Sequence, residues 1–102
     1  AYARGVELLQ KRKYAKALYI LNDYNDRNTV VAHLSLGHDE RAMELLATMP
    51  KDAVTEYLRA IACSRLGRKA EGREHFLEAC RLDGRMEYRG NLDPEIAELL
   101  KQ

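Results

Sequence analysis

The segment His33-Leu34-Ser35-Leu36-Gly37-His38-Asp39 returns thirty positions later as Cys63-Ser64-Arg65-Leu66-Gly67-Arg68-Lys69. Each copy sits between two apolar helical segments. Self-similarity at this period marks a stack of helical hairpins, because one such unit cannot bury its apolar face alone and needs a neighbour. A chain built this way is expected to serve as a binding scaffold.

Gly and Pro place the joints, and between them apolar residues recur at the three- and four-residue steps of an amphipathic helix. Tyr2, Val6 and Leu9 form the first stripe. The charged joint Lys11-Arg12-Lys13 precedes a second, with Tyr14, Ala17, Leu18, Leu21 and Tyr24. Asn22, Asp23, Asn25, Asp26 and Asn28 then crowd into a loop. Val30, Val31 and Leu34 lead to the break at Gly37. Ala42, Met43, Leu45, Leu46 and Met49 follow, and Pro50 is expected to stop that helix. Asp52 is placed to cap a helix bearing Val54, Tyr57, Leu58, Ile61 and Leu66. After Gly67 come Ala70, Phe76, Leu77, Ala79 and Cys80, ending at Asp83-Gly84. Residues 84–92 lack periodicity. Asp93-Pro94 reads as N-cap and first-turn proline of a last helix with Ile96, Leu99 and Leu100. No alternating strand pattern occurs. The expected fold is all-α, with seven helices: hairpins at about 1–26, 28–50 and 52–84 form a repeat domain over residues 1–91, and 92–102 form a C-terminal capping helix.

The third hairpin resembles a tetratricopeptide repeat most closely, through Ala60-x2-Cys63, Leu66-Gly67, Gly72-x3-Phe76-x2-Ala79 and Asp83-Gly84. The first fits with Gly5-x2-Leu8 and Tyr14-x2-Ala17-x3-Leu21. The second fits with Val30-x2-His33, Leu36-Gly37 and Ala42-x3-Leu46. The resemblance covers residues 1–84. It implies an α-α superhelix in which Gly5, Ala17, Ala42, Ala60, Gly72 and Ala79 are structural, letting paired helices approach closely. The repeats are shorter than the family's 34 residues, tryptophan is absent, and Gly84 stands where the motif has proline. Trimmed helices in the second hairpin and an irregular superhelix are expected. The resemblance also points to a bacterial source.

Composition excludes several function classes. Seventeen basic and sixteen acidic residues leave a net charge of +1, so no global field recommends nucleic acid or an anionic membrane. The basic residues Lys11, Arg12, Lys13 and Lys16, and those of the last third, are interleaved with acids as on a solvated helix surface. No apolar run is long enough to span a bilayer. His33, His38 and His75 show no metal spacing with one another or with the cysteines, and Glu74-His75 lacks the second histidine of a zinc-protease helix. In an antiparallel hairpin Cys63 and Cys80 would be offset by roughly 13 Å along the axis, too far for a disulfide. No phosphate loop, dinucleotide glycine run or nucleophile elbow appears. Neither enzyme activity nor a cofactor is expected.

The resemblance implies binding of a peptide or helix in a concave groove lined by the first helix of each hairpin. By position that groove holds Tyr2, Val6, Leu9, Val31, Leu34, Tyr57, Ile61, Ser64 and Arg65. Aromatic residues and arginine are effective anchors at interfaces. The groove lacks the Lys/Asn set with which some family members clamp a terminal carboxylate. The alternatives are a structural segment of a longer solenoid or a self-associating unit, and, less favoured, a nucleic-acid binder. The chain opens on Ala1 rather than Met, as it would if a leader or longer N-terminal region had been removed. Cytoplasmic and periplasmic locations are both compatible with it.

Overall fold

The computed structural model describes residues 1–101, and among these every regular element is an α-helix. There are eight: α1 (Tyr2–Gln10), α2 (Tyr14–Leu21), α3 (Arg27–Ser35), α4 (Asp39–Leu46), α5 (Ala53–Arg65), α6 (Lys69–Leu82), α7 (Arg85–Asn91) and α8 (Pro94–Leu100). Gln102, the end of the expected capping segment, lies outside the described residues. The chain divides into two units, Ala1–Thr48 with α1–α4 and a second that begins at Met49 with α5–α8.

The repeated Leu-Gly segment is a helix-ending turn. Gly37 and Gly67 adopt φ of 80° and 77°, the left-handed conformation that glycine enters without a Cβ penalty. His38 N–H donates to His33 O at 2.8 Å and Gly37 N–H to Leu34 O at 3.1 Å. Arg68 N–H donates to Cys63 O at 2.9 Å and Gly67 N–H to Leu34's counterpart Ser64 O at 3.2 Å. This pair of bonds is the Schellman motif, which satisfies carbonyls left over at a helix C-terminus. The charged joint makes the same turn with Arg12 at φ 60°, Lys13 N–H reaching Leu8 O at 2.9 Å and Arg12 N–H reaching Leu9 O at 3.0 Å. One backbone device therefore closes α1, α3 and α5.

The helix starts repeat a second device. Asp26 and Asp52 each accept from the backbone N–H of a threonine three residues on, at 3.0 and 2.8 Å. Thr29 and Thr55 return the favour with hydroxyls that accept from the aspartate N–H groups. These capping boxes satisfy amides that no helical carbonyl can reach. Asp93 caps α8 by accepting from Glu95 N–H at 2.9 Å, with Pro94 in the first turn.

In the first unit α1 pairs with α2, α3 with α4, and α3 also packs on both α1 and α2. Leu8, Ala17 and Leu21 form the core of the first hairpin, where a Cβ on Gly5 would come within 2.8 Å of Leu21 Cδ2. The helices are 9, 8, 9 and 8 residues long, so the first hairpin is trimmed as much as the second. In the second unit α5 and α6, of 13 and 14 residues, form a longer hairpin, and α8 packs on both. Flanked in this way, α5 buries Tyr57, Leu58, Ala60, Ile61, Ala62 and Cys63 around most of its circumference.

Two sequence expectations are corrected. Residues 84–92, read as aperiodic, contain α7, so there are eight helices rather than seven. Only Met86 and Gly90 of α7 are buried, too few to set a period. Gly90 is there because a Cβ would stand 2.5 Å from the Phe76 ring. Pro50 does not stop α4, which closes at Leu46, where the Thr48 amide and hydroxyl both turn back to Leu45 O.

Candidate functional site

The nine positions expected to line a groove fall into two groups. In the first unit Tyr2, Val6 and Leu9 are half-buried, packed at the edge of the Leu8–Ala17–Leu21 core. Val31 on α3 is also half-buried, whereas Leu34 is buried. α1 and α3 touch directly. The Tyr2 hydroxyl donates to the Asp26 carboxylate and accepts from Asn28 Nδ2 at 2.7 Å, and its ring meets Tyr24 edge-on at 4.7 Å. The bond to Asp26 raises the Tyr2 pKa. Burial pushes Asp26 upward, but hydrogen bonds from Tyr2 and Thr29 outweigh it and hold the carboxyl below its ordinary range.

In the second unit the chain's own C-terminal segment engages the α5 positions. Tyr57 is 1% exposed and its hydroxyl donates to Asp93 Oδ2 at 2.8 Å. The Arg89 guanidinium sits 4.4 Å above its ring, a cation–π contact, and Phe76 packs edge-on at 6.2 Å. Burial, then the Asp93 bond, raise the Tyr57 pKa. Ser64 Oγ donates to Glu95 O at 3.4 Å, and Arg65 clasps the Glu95 carboxylate with Nε and Nη2, both at 2.8 Å. Ile61 is buried, as are Ile96 and Leu99 of α8, while Leu100 is 43% exposed. Tyr57, Ser64 and Arg65 are therefore committed within the chain, through contacts 30 to 36 residues distant in sequence.

One constellation was not visible in the sequence. Cys63 on α5 and Glu71 and His75 on α6 place a sulfur, a carboxylate oxygen and an imidazole nitrogen all within 4.8 Å of one another. Cys63 Sγ donates to Glu71 Oε2 at 3.4 Å. His75 Nδ1 lies 2.6 Å from Glu56 Oε2. Glu56 is 2% exposed and is paired on its other oxygen with Arg59 Nη1 at 2.6 Å. Glu56 and Cys63 stand seven apart on α5, and Glu71 and His75 four apart on α6, so each pair occupies one face of its helix. The antiparallel turn at Gly67 brings the two faces together. Burial, then the Glu71 carboxylate, push the Cys63 thiol up to about 12. It is protonated at neutral pH and is no nucleophile. Cys63 and Cys80 are both free.

Many basic side chains pair with acids on the helix surfaces: Lys11 with Glu7 at 3.0 Å, Arg41 with Glu44 at 3.7 Å, and Lys101 with Glu98 at 3.0 Å. Among the described residues no helix is long and apolar enough to cross a membrane. Comparison with known proteins finds no matching family model, curated protein or solved structure.

Proposed function

We propose that this chain is a non-enzymatic protein-interaction module of the tetratricopeptide-like superhelical class, and that it holds a peptide or helix against the first helices of its first two hairpins. One observation carries the reading. α1 and α3 pack together in the first unit with Tyr2, Val6, Leu9 and Val31 each only part-buried. Such a surface offers an aromatic ring with a fixed hydroxyl beside aliphatic area, the combination that anchors peptide ligands. The equivalent face of α5 is occupied by α8, so binding is assigned to the first unit alone.

Selection of phage-displayed random peptides against the full chain tests this. Selected peptides should shift the amide resonances of α1 and α3. Val6→Glu and Val31→Glu should each weaken binding at least tenfold while circular dichroism remains that of the parent. Peptides that bind both variants as well as the parent, or shift only residues elsewhere, would overturn the assignment.

A further inference from the structure

The constellation at the α5–α6 turn supports a second site, independent of peptide binding. We propose that Cys63, Glu71 and His75 bind a thiophilic divalent cation of the zinc type, with Glu56 orienting the histidine. The donor set itself points to this class. A thiolate, an imidazole and a carboxylate suit zinc and its tetrahedral neighbours, whereas magnesium and calcium select all-oxygen shells.

The geometry is close to what coordination needs. Donors about 2.0–2.3 Å from a tetrahedral ion lie roughly 3.5 Å from each other, and the three donor atoms here lie within 4.8 Å. The remaining contraction is modest, and the exposed Glu71 side chain can make it, while Cys63 is fully buried and His75 is held by its 2.6 Å bond to Glu56. The small residues beneath set the approach: a Cβ on Gly72 would lie 3.1 Å from Cys63 Cβ and 3.3 Å from Ala60 O. Three protein donors on one side and solvent beyond Glu71 leave the fourth position to water.

Glu56 plays the outer part. A carboxylate can only accept, so His75 Nδ1 carries the proton toward Glu56 and the other ring nitrogen keeps its lone pair. A carboxylate behind a coordinating histidine fixes the ring and strengthens the ligand. Glu56 is itself held by Arg59, which gives a buried carboxylate a role that packing alone would not require. Binding exchanges one bond for another without redox chemistry: the Cys63 S–H bond breaks, a sulfur–metal bond forms, and one proton passes to solvent for each ion taken up.

The test uses the reduced full chain titrated with Co2+ under inert gas. The expected result is one ion per chain, an intense tetrahedral d–d spectrum and a thiolate-to-cobalt charge-transfer band, all bleached by Zn2+. Buffer-indicator measurement should register one proton released per ion. Cys63→Ser should abolish the charge-transfer band and Cys80→Ser should leave it intact. His75→Gln and Glu71→Gln should each weaken cobalt binding at least tenfold. These two residues reach solvent, so they decide the matter if the Cys63 variant melts early. A charge-transfer band that is absent in the parent, survives Cys63→Ser, or is unmoved by both glutamine variants would overturn the site.

Discussion

If one left-handed residue closes α1, α3 and α5, replacing it should change stability in a direction set by the residue already there. Beside an added Cβ, Gly37 and Gly67 have no neighbouring atom within 4 Å. Their replacement by alanine therefore carries no steric collision, and its cost is conformational alone. A left-handed L-residue costs about 1–2 kcal/mol. Alanine returns about 0.4–1 kcal/mol by restricting the unfolded chain, so Gly67→Ala should lose about 1 kcal/mol. Arg12 already occupies the same conformation at φ 60°, so Arg12→Gly runs the same balance backwards and should gain up to about 1 kcal/mol. Guanidinium unfolding followed by circular dichroism measures both, with unchanged m-values expected because neither change alters the surface exposed on unfolding. In thermal melts each kcal/mol corresponds to about 4–8 °C for a domain of this size. A Gly67→Ala variant more stable than the parent would refute the reasoning, since the about 1–2 kcal/mol cost of a left-handed residue is not exceeded by the about 0.4–1 kcal/mol that alanine returns. An Arg12→Gly variant less stable than the parent would refute it too.

Three further outcomes are expected. Asp26 has its pKa lowered in the folded state, so the stability it contributes is present above the ordinary carboxylate range and lost as pH falls below about 4; Asp26→Asn should flatten the acid limb of a pH series of melts. His33 is held below its ordinary pKa by burial, then by His38 and Arg41, and its buried Nε2 finds no partner among the described residues. The unfolded chain then binds the extra proton, so stability should fall as pH drops below about 6.5, and an imidazole NMR titration should place His33 lower than that. Ile96 is fully buried, and Ile96→Ala should cost about 2–5 kcal/mol in chemical denaturation.

What the sequence made legible was what local chemistry decides. The Leu-Gly turns, the Asp52 cap and the Asp93-Pro94 start each rest on residues within a few positions of one another. Even the charged joint at Lys11-Arg12-Lys13 falls at the right place, although its left-handed residue is not glycine. What escaped depends on distant partners. α7 has two buried residues, and one of them is a glycine that reads as a breaker until Phe76 is seen against it. Tyr57 and Arg65 carry the marks of interface anchors, and such residues satisfy an intramolecular partner equally well. Nothing near them in the chain announces Asp93 or Glu95. The Cys63–Glu71–His75 constellation follows from the register of α5 against α6, and no linear spacing of cysteine and histidine encodes that.

Gly72 connects these distant contacts. On one side of α6 it admits Ala60 and Cys63, bringing the helix axes close enough for Glu71 and His75 to reach the sulfur. On another it admits Leu99 of α8, whose Cδ1 would lie 2.7 Å from an added Cβ. The leucine end can swing aside, whereas Cys63 Cβ at 3.1 Å and the Ala60 carbonyl at 3.3 Å would each have to give by a few tenths of an ångström. A larger residue would therefore press α6 away from α5, at a cost set against alanine's better helix propensity of about 1 kcal/mol. Close approach at this one position thus serves two ends that sequence separates by more than twenty residues. It holds the C-terminal helix over the face of α5, and it sets the distance across which the thiol, carboxylate and imidazole meet.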